Sequence, residues 1–103
     1  MASTSAATSE KIKAKLDMAK PSMYSVIYMN DNVTTMEFVI GSLMAIFHHS
    51  AEAAGELCRQ IHEDGSAVVA VLPYELAEQK GVEATVAARN AGFPLMVKLE
   101  ATV

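Results

Sequence analysis

Apolar residues recur along this chain with two different spacings. Residues 23–29, MYSVIYM, form a β-branched and aromatic run bounded by Pro21 and by the Asx cluster Asn30-Asp31-Asn32. That composition between turn formers predicts a strand. From Thr34 the spacing changes. Thr34-Thr35-Met36-Glu37 has the form of a capping box, a hydroxyl with a carboxylate three residues on. It predicts a helix over 35–47, with Phe38, Val39, Leu43, Ile46 and Phe47 as its apolar faces. His48-His49-Ser50 breaks the pattern, and Ser50 suits the N-cap of a second helix over 51–63. In that helix Ala54, Leu57, Cys58 and Ile61 stand at i, i+3, i+4 and i+7, and His62 borders the stripe. Asp64-Gly65 signals a turn. The unbroken apolar run at 68–72 predicts a buried strand, and Pro73 suits the first turn of a third helix reaching Asn90 through an interior Gly81. After Ala91-Gly92-Phe93-Pro94, residues 95–99 predict a last strand. The order strand, helix, helix, strand, helix, strand over about 83 residues points to a two-layer α+β domain.

Composition sets the limits of this picture. The chain has 103 residues, 51% of them hydrophobic, which suits one small domain. Residues 1–20 are rich in Ala, Ser, Thr and Lys, poor in large apolar groups, and read as a flexible N-terminal extension ahead of a core at 21–103. The net charge of −4 is uneven, because 1–20 carry +2 and 21–103 carry −6. An acidic core lacks the clustered Lys and Arg that phosphate binding needs, so nucleic acid is not an expected partner. No apolar run is long enough for a bilayer. The start has no basic region followed by an apolar one, and the single cysteine, Cys58, excludes an internal disulfide. A cytoplasmic setting is the expectation.

Few residues invite chemistry. Cys58 precedes His62 by one helical turn, a conceivable nucleophile and base, but no third group orients them and Cys58 lies in an apolar stripe. A small Cys/His hydrolase is the alternative from another class. His48, His49 and His62 match no standard metal spacing, and no phosphate-binding or nucleophile-elbow motif is present. No catalytic residue, metal or cofactor is therefore expected. The stretch MNDNVTTM at 29–36 is different. Asn and Asp favour tight turns. Between a strand and a helix start they also gather acceptor oxygens, and an ammonium group has three donors and no acceptor.

These same residues carry a resemblance. The run from Pro21 to Asn32, followed by Thr34 and Met36-Glu37-Phe38-Val39, resembles the opening of the ClpS family, adaptors of the ATP-dependent Clp protease, whose pattern there is close to P-x-M-Y-x-V-x-x-x-N-D-D-x-T-P-M-E-F-V. His62-Glu63-Asp64-Gly65 before an apolar strand resembles the family's V-H-x-x-G, and Pro94-Leu95 resembles the opening of its final strand. The resemblance spans roughly 21–100. It implies a three-stranded antiparallel sheet packed on three helices and a protein that binds rather than catalyses. The implied partners are a ClpA- or ClpC-type AAA+ unfoldase and substrate proteins bearing an N-degron, a large hydrophobic N-terminal residue (Leu, Phe, Tyr or Trp), with the N-terminal extension engaging the unfoldase.

Position by position, the resemblance assigns Asn30, Asp31, Asn32 and His62 to the substrate's α-amino group. It assigns Thr34, Met36, Val39, Cys58, Ile61 and Leu95 to the pocket for the first side chain, with Met36 as a gate against β-branched Ile and Val. Three positions depart from the family pattern. Asn32 stands where a carboxylate is usual, Cys58 where Met is common, and Thr35 where Pro is usual. The first implies weaker hold on the amine or more reliance on Asp31, and the second a pocket that favours bulkier residues. An unfoldase-docking regulator with weak or altered N-degron recognition is the alternative within the same family.

Overall fold

The computed structural model describes residues 22–102. The expected extension at 1–20 lies outside them. Six elements follow in order: β1 Met23–Met29, α1 Met36–Phe47, α2 Ala51–Asp64, β2 Ser66–Pro73, α3 Tyr74–Asn90 and β3 Met96–Ala101. The strands form one antiparallel sheet in the order β2-β1-β3. The helices pack on it, and the predicted α+β architecture of three helices and three strands is the one observed.

The strands differ according to their place in the sheet. β1 is central, and Val26, Ile27 and Tyr28 are all buried. β2 and β3 are edges. In β2, Ala67 and Val69 turn inward while Val68 and Val71 stay about half exposed. The unbroken apolar run at 68–72 is thus half-buried rather than buried on both faces, because an edge strand covered on one side alternates with period two. The β1–β2 register slips between Val26 and Ile27, so that Val26 pairs with Ala70 and Ile27 with Val68, leaving Val69 unpaired. That is a bulge. His49 meets it, its Nε2–H donating to the Val69 carbonyl at 2.6 Å.

The core lies between sheet and helices: Val26 and Tyr28 from β1, Val39 and Leu43 from α1, Ala54, Cys58 and Ile61 from α2, Ala77, Ala84 and Ala88 from α3, and Leu95. The buried Tyr28 hydroxyl meets Ser42 Oγ at 2.9 Å, and Ser42 in turn donates to the Val39 carbonyl. Burial pushes the Tyr28 phenol up to about 12, against the smaller opposing effect of the Ser42 hydrogen bond. Small residues let α3 lie close to the sheet. Gly81 is buried there, and a Cβ at that position would stand 3.6 Å from Val97 Cγ1 and 3.8 Å from Leu99 Cδ2.

The helix caps set where the functional loops begin. Ser50 caps α2 as expected, its Oγ accepting from Ala53 N. α1 is capped one residue later than the capping box implies: Thr35 is the N-cap, and its Oγ1 accepts from Phe38 N. Thr34 is engaged elsewhere, by Asp31. α2 ends at Gly65, whose φ of 90° is the left-handed conformation glycine adopts without a Cβ penalty.

Candidate functional site

The loop from β1 to α1 holds its shape through Asp31. Its Oδ1 accepts from Val33 N at 2.8 Å and Thr34 N at 2.7 Å, and its Oδ2 accepts from Thr34 Oγ1 at 2.7 Å. Desolvation pushes the Asp31 carboxyl upward, but these three bonds and the positive charge of Arg89 outweigh it, so its pKa lies below the ordinary aspartate value. Asp31 is therefore a carboxylate at neutral pH. Two carboxylate oxygens offer roughly four lone-pair sites. Three are used within the loop, so Oδ2 retains acceptor capacity.

A second strand of the arrangement comes from α2. Asn30 N donates to the Gly65 carbonyl at 2.9 Å, which fastens the start of the Asx loop to the end of the helix that carries Cys58, Ile61 and His62. Both halves then border one hollow of about 420 Å³. Its polar lining includes Asn30, Asp31, Asn32 and His62, and its apolar lining includes Val39, Cys58 and Ile61, with Thr34 and Met36 also bordering it. Met36 is 61% exposed, whereas Val39, Cys58 and Ile61 are buried. A lining that combines acceptors with apolar side chains suits a ligand with an ammonium beside a hydrophobic side chain.

Nine of the ten residues singled out in the sequence border this hollow. The tenth, Leu95, is 1% exposed in the core and is not among its lining residues. Two residues that sequence reasoning passed over do line it, Val33 and Thr35. Val33, a 58% exposed aliphatic residue inside a polar loop, carried a legible signal. Gly65 was legible as a turn and as part of a motif, but the bond of its carbonyl to Asn30 N was not, and Arg89 carried no signal, since both act on the loop from elements distant in sequence.

Cys58 does not have the character of a nucleophile. Burial pushes its thiol pKa up, and the negative charge of Glu37 pushes it in the same direction. A reactive thiol needs the opposite environment. Among the described residues, no group of three or more His, Cys, Asp or Glu side chains is placed to hold a metal ion, and no helix is long and apolar enough to cross a membrane. A larger hollow of about 700 Å³ follows α3 from Glu75 to Asn90. All of its lining residues belong to that one helix, so it is a surface rather than a cleft between elements.

Residues 19–98 match the sequence model of the family described as ATP-dependent Clp protease adaptor protein ClpS. The chain is 43% identical over 83 residues to the Clp protease adapter protein ClpS of Campylobacter jejuni, covering 81% of this chain and 86% of that protein. It is 36% identical over 93 residues to the ClpS of Nautilia profundicola, covering 90% and 96%. Among solved structures it is similar to Agrobacterium tumefaciens ClpS2 bound to L-phenylalaninamide, with a TM-score of 0.77 and 40% identity over 80% of this chain and 99% of that one.

Proposed function

The chain belongs to the ClpS family, the adaptors of the ATP-dependent Clp protease, and from that premise we propose that it recognises proteins by a free, large hydrophobic N-terminal residue and hands them to a ClpA- or ClpC-type unfoldase. As a Clp protease adaptor it has an AAA+ unfoldase and substrates as partners. The observation that carries the finer reading is the single hollow in which Asn30, Asp31, Asn32 and His62 adjoin Val39, Cys58 and Ile61. The structure of a 40% identical relative, Agrobacterium tumefaciens ClpS2, bound to L-phenylalaninamide supports it, because that ligand joins an α-amine to an aromatic side chain.

Magnitudes require both ends of the hollow. Burying a Leu or Phe side chain contributes about 1.5–3 kcal/mol, whereas micromolar affinity needs about 8 kcal/mol. The polar end must supply much of the remainder. An acetylated amine would leave acceptors unpaired, at about 1–3 kcal/mol for each one buried, so the site reads a terminus and not merely an apolar group. Thr34 and Met36 flank the side chain's entry, and Met36 disfavours β-branched first residues. Leu95 backs the pocket from the core. Residues 1–20 engage the unfoldase.

Fluorescence anisotropy with short labelled peptides tests this. Peptides beginning with Leu or Phe bind, and binding disappears on α-acetylation or when Ile or Val comes first. Equal affinity for free and acetylated peptides would sink the reading in favour of a regulator that docks on the unfoldase without N-degron recognition.

A further inference from the structure

A second hollow, about 570 Å³, begins where the first one ends. It is lined by Val33, Arg89, Gly92, Phe93, Pro94 and Met96, and Val33 borders both. Val33 and Met96 are each 58% exposed. Single exposed apolar residues are ordinary, but here Val33, Phe93, Pro94 and Met96 line one concave surface that continues the binding site.

The frame of this hollow is fixed. Met96 pairs with Met29 across β3 and β1, which sets it beside the strand end from which the Asx loop starts. Phe93 stacks edge-on against Phe38 of α1, with ring centroids 5.4 Å apart. Arg89 Nη1 donates to the Phe93 and Leu95 carbonyls, both at 2.9 Å, and its Nη2 lies 3.9 Å from Met96 Sδ. A guanidinium has five donors, more than these contacts use, so it can also bond the carbonyls of a peptide passing over it.

An extended peptide determines which of its residues arrives here. Side chains alternate along it, and residues 1 and 3 face the same surface about 7 Å apart. With the first side chain directed at Val39, Cys58 and Ile61, the second points away and the third returns to the surface one step along. We propose that the hollow beyond Val33 receives the third residue of a bound N-terminus and gives this protein a preference for an apolar side chain there. The inference rests on the N-degron reading above and adds a second specificity position to it.

The test uses the full chain and labelled peptides of the series Phe-Ser-Xaa, measured by fluorescence anisotropy. With Leu as Xaa, affinity exceeds that with Ser by about threefold to tenfold, the range expected for partial burial of one aliphatic side chain. Met96→Ser abolishes this gain while binding Phe-Ser-Ser as the wild type does, which also reports that the variant is folded. Equal affinities across Xaa, with α-acetylation still abolishing binding, overturn the third-residue pocket and leave the N-degron reading standing. Tightest binding with Asp as Xaa overturns it too, by showing that the charge of Arg89 sets the preference. A gain that survives in Met96→Ser, or that follows Leu at the second position, places the contact elsewhere. Failure of every Phe-initiated peptide to bind removes both readings together.

Discussion

At the scale of single residues, the proposed grip on an α-amine turns on Asp31 and Asn32. Asp31 is largely committed to its own loop through Val33 and Thr34, so the carboxylate that shapes the turn has limited capacity left for a ligand. If residue 32 meets the substrate amine as proposed, a carboxylate there would add charge to that contact, and charge-assisted hydrogen bonds are roughly twice as strong as neutral ones. Asn32→Asp should therefore tighten binding of a free-amine peptide several-fold, with a steeper loss of affinity as salt is raised. Unchanged titrations at low and high salt would separate residue 32 from amine binding. Asp31 also sets a pH limit. Its folded pKa lies below the unfolded value of about 3.9, so its contribution to stability is complete above that value and is lost as pH falls through the folded pKa. Thermal melts should show wild type and Asp31→Asn converging below pH 4 and separating above it. Thr34 illustrates what the sequence leaves open. It fits the capping box as well as Thr35 does, but its hydroxyl goes to Asp31, and the competition between those two acceptor-donor pairings is decided only by the folded loop.

At the scale of elements, apolar composition and spacing together with turn and proline signals located all six, and the cap at Ser50 and the break at His48-His49 were readable because they depend on neighbours a few positions away. What was not readable depended on contact across the fold. The 68–72 run looks buried on both faces until β2 is known to be an edge. Gly81 argues against a helix interior by propensity, but α3 runs through it. A Cβ there makes ordinary van der Waals contact with Val97 and Leu99, so Gly81→Ala should stabilise the protein by about 0.5–1 kcal/mol through helix propensity and the unfolded chain. Chemical denaturation decides it. A loss of stability would mean that the added methyl meets Val97 and Leu99 at less than van der Waals separation.

At the scale of the whole molecule, the candidate site is a joint product of two segments about thirty residues apart. The sequence made its parts legible, since MNDNVTTM and the stripe with Cys58, Ile61 and His62 are both local patterns. It did not show that they border one hollow, nor that Leu95 is buried in the core and absent from that hollow's lining. The bond from Asn30 N to the Gly65 carbonyl, at 2.9 Å, joins those two segments, and it makes one proton a gauge of the entire site. That amide exchanges with deuterated solvent only when the loop and the end of α2 part company. NMR hydrogen exchange should find it slow for a loop residue, and slower again once a Leu- or Phe-initiated peptide is added, because a ligand gripping both sides must leave before they separate. If peptide leaves the Asn30 rate untouched, the two sides do not close on the ligand as a unit.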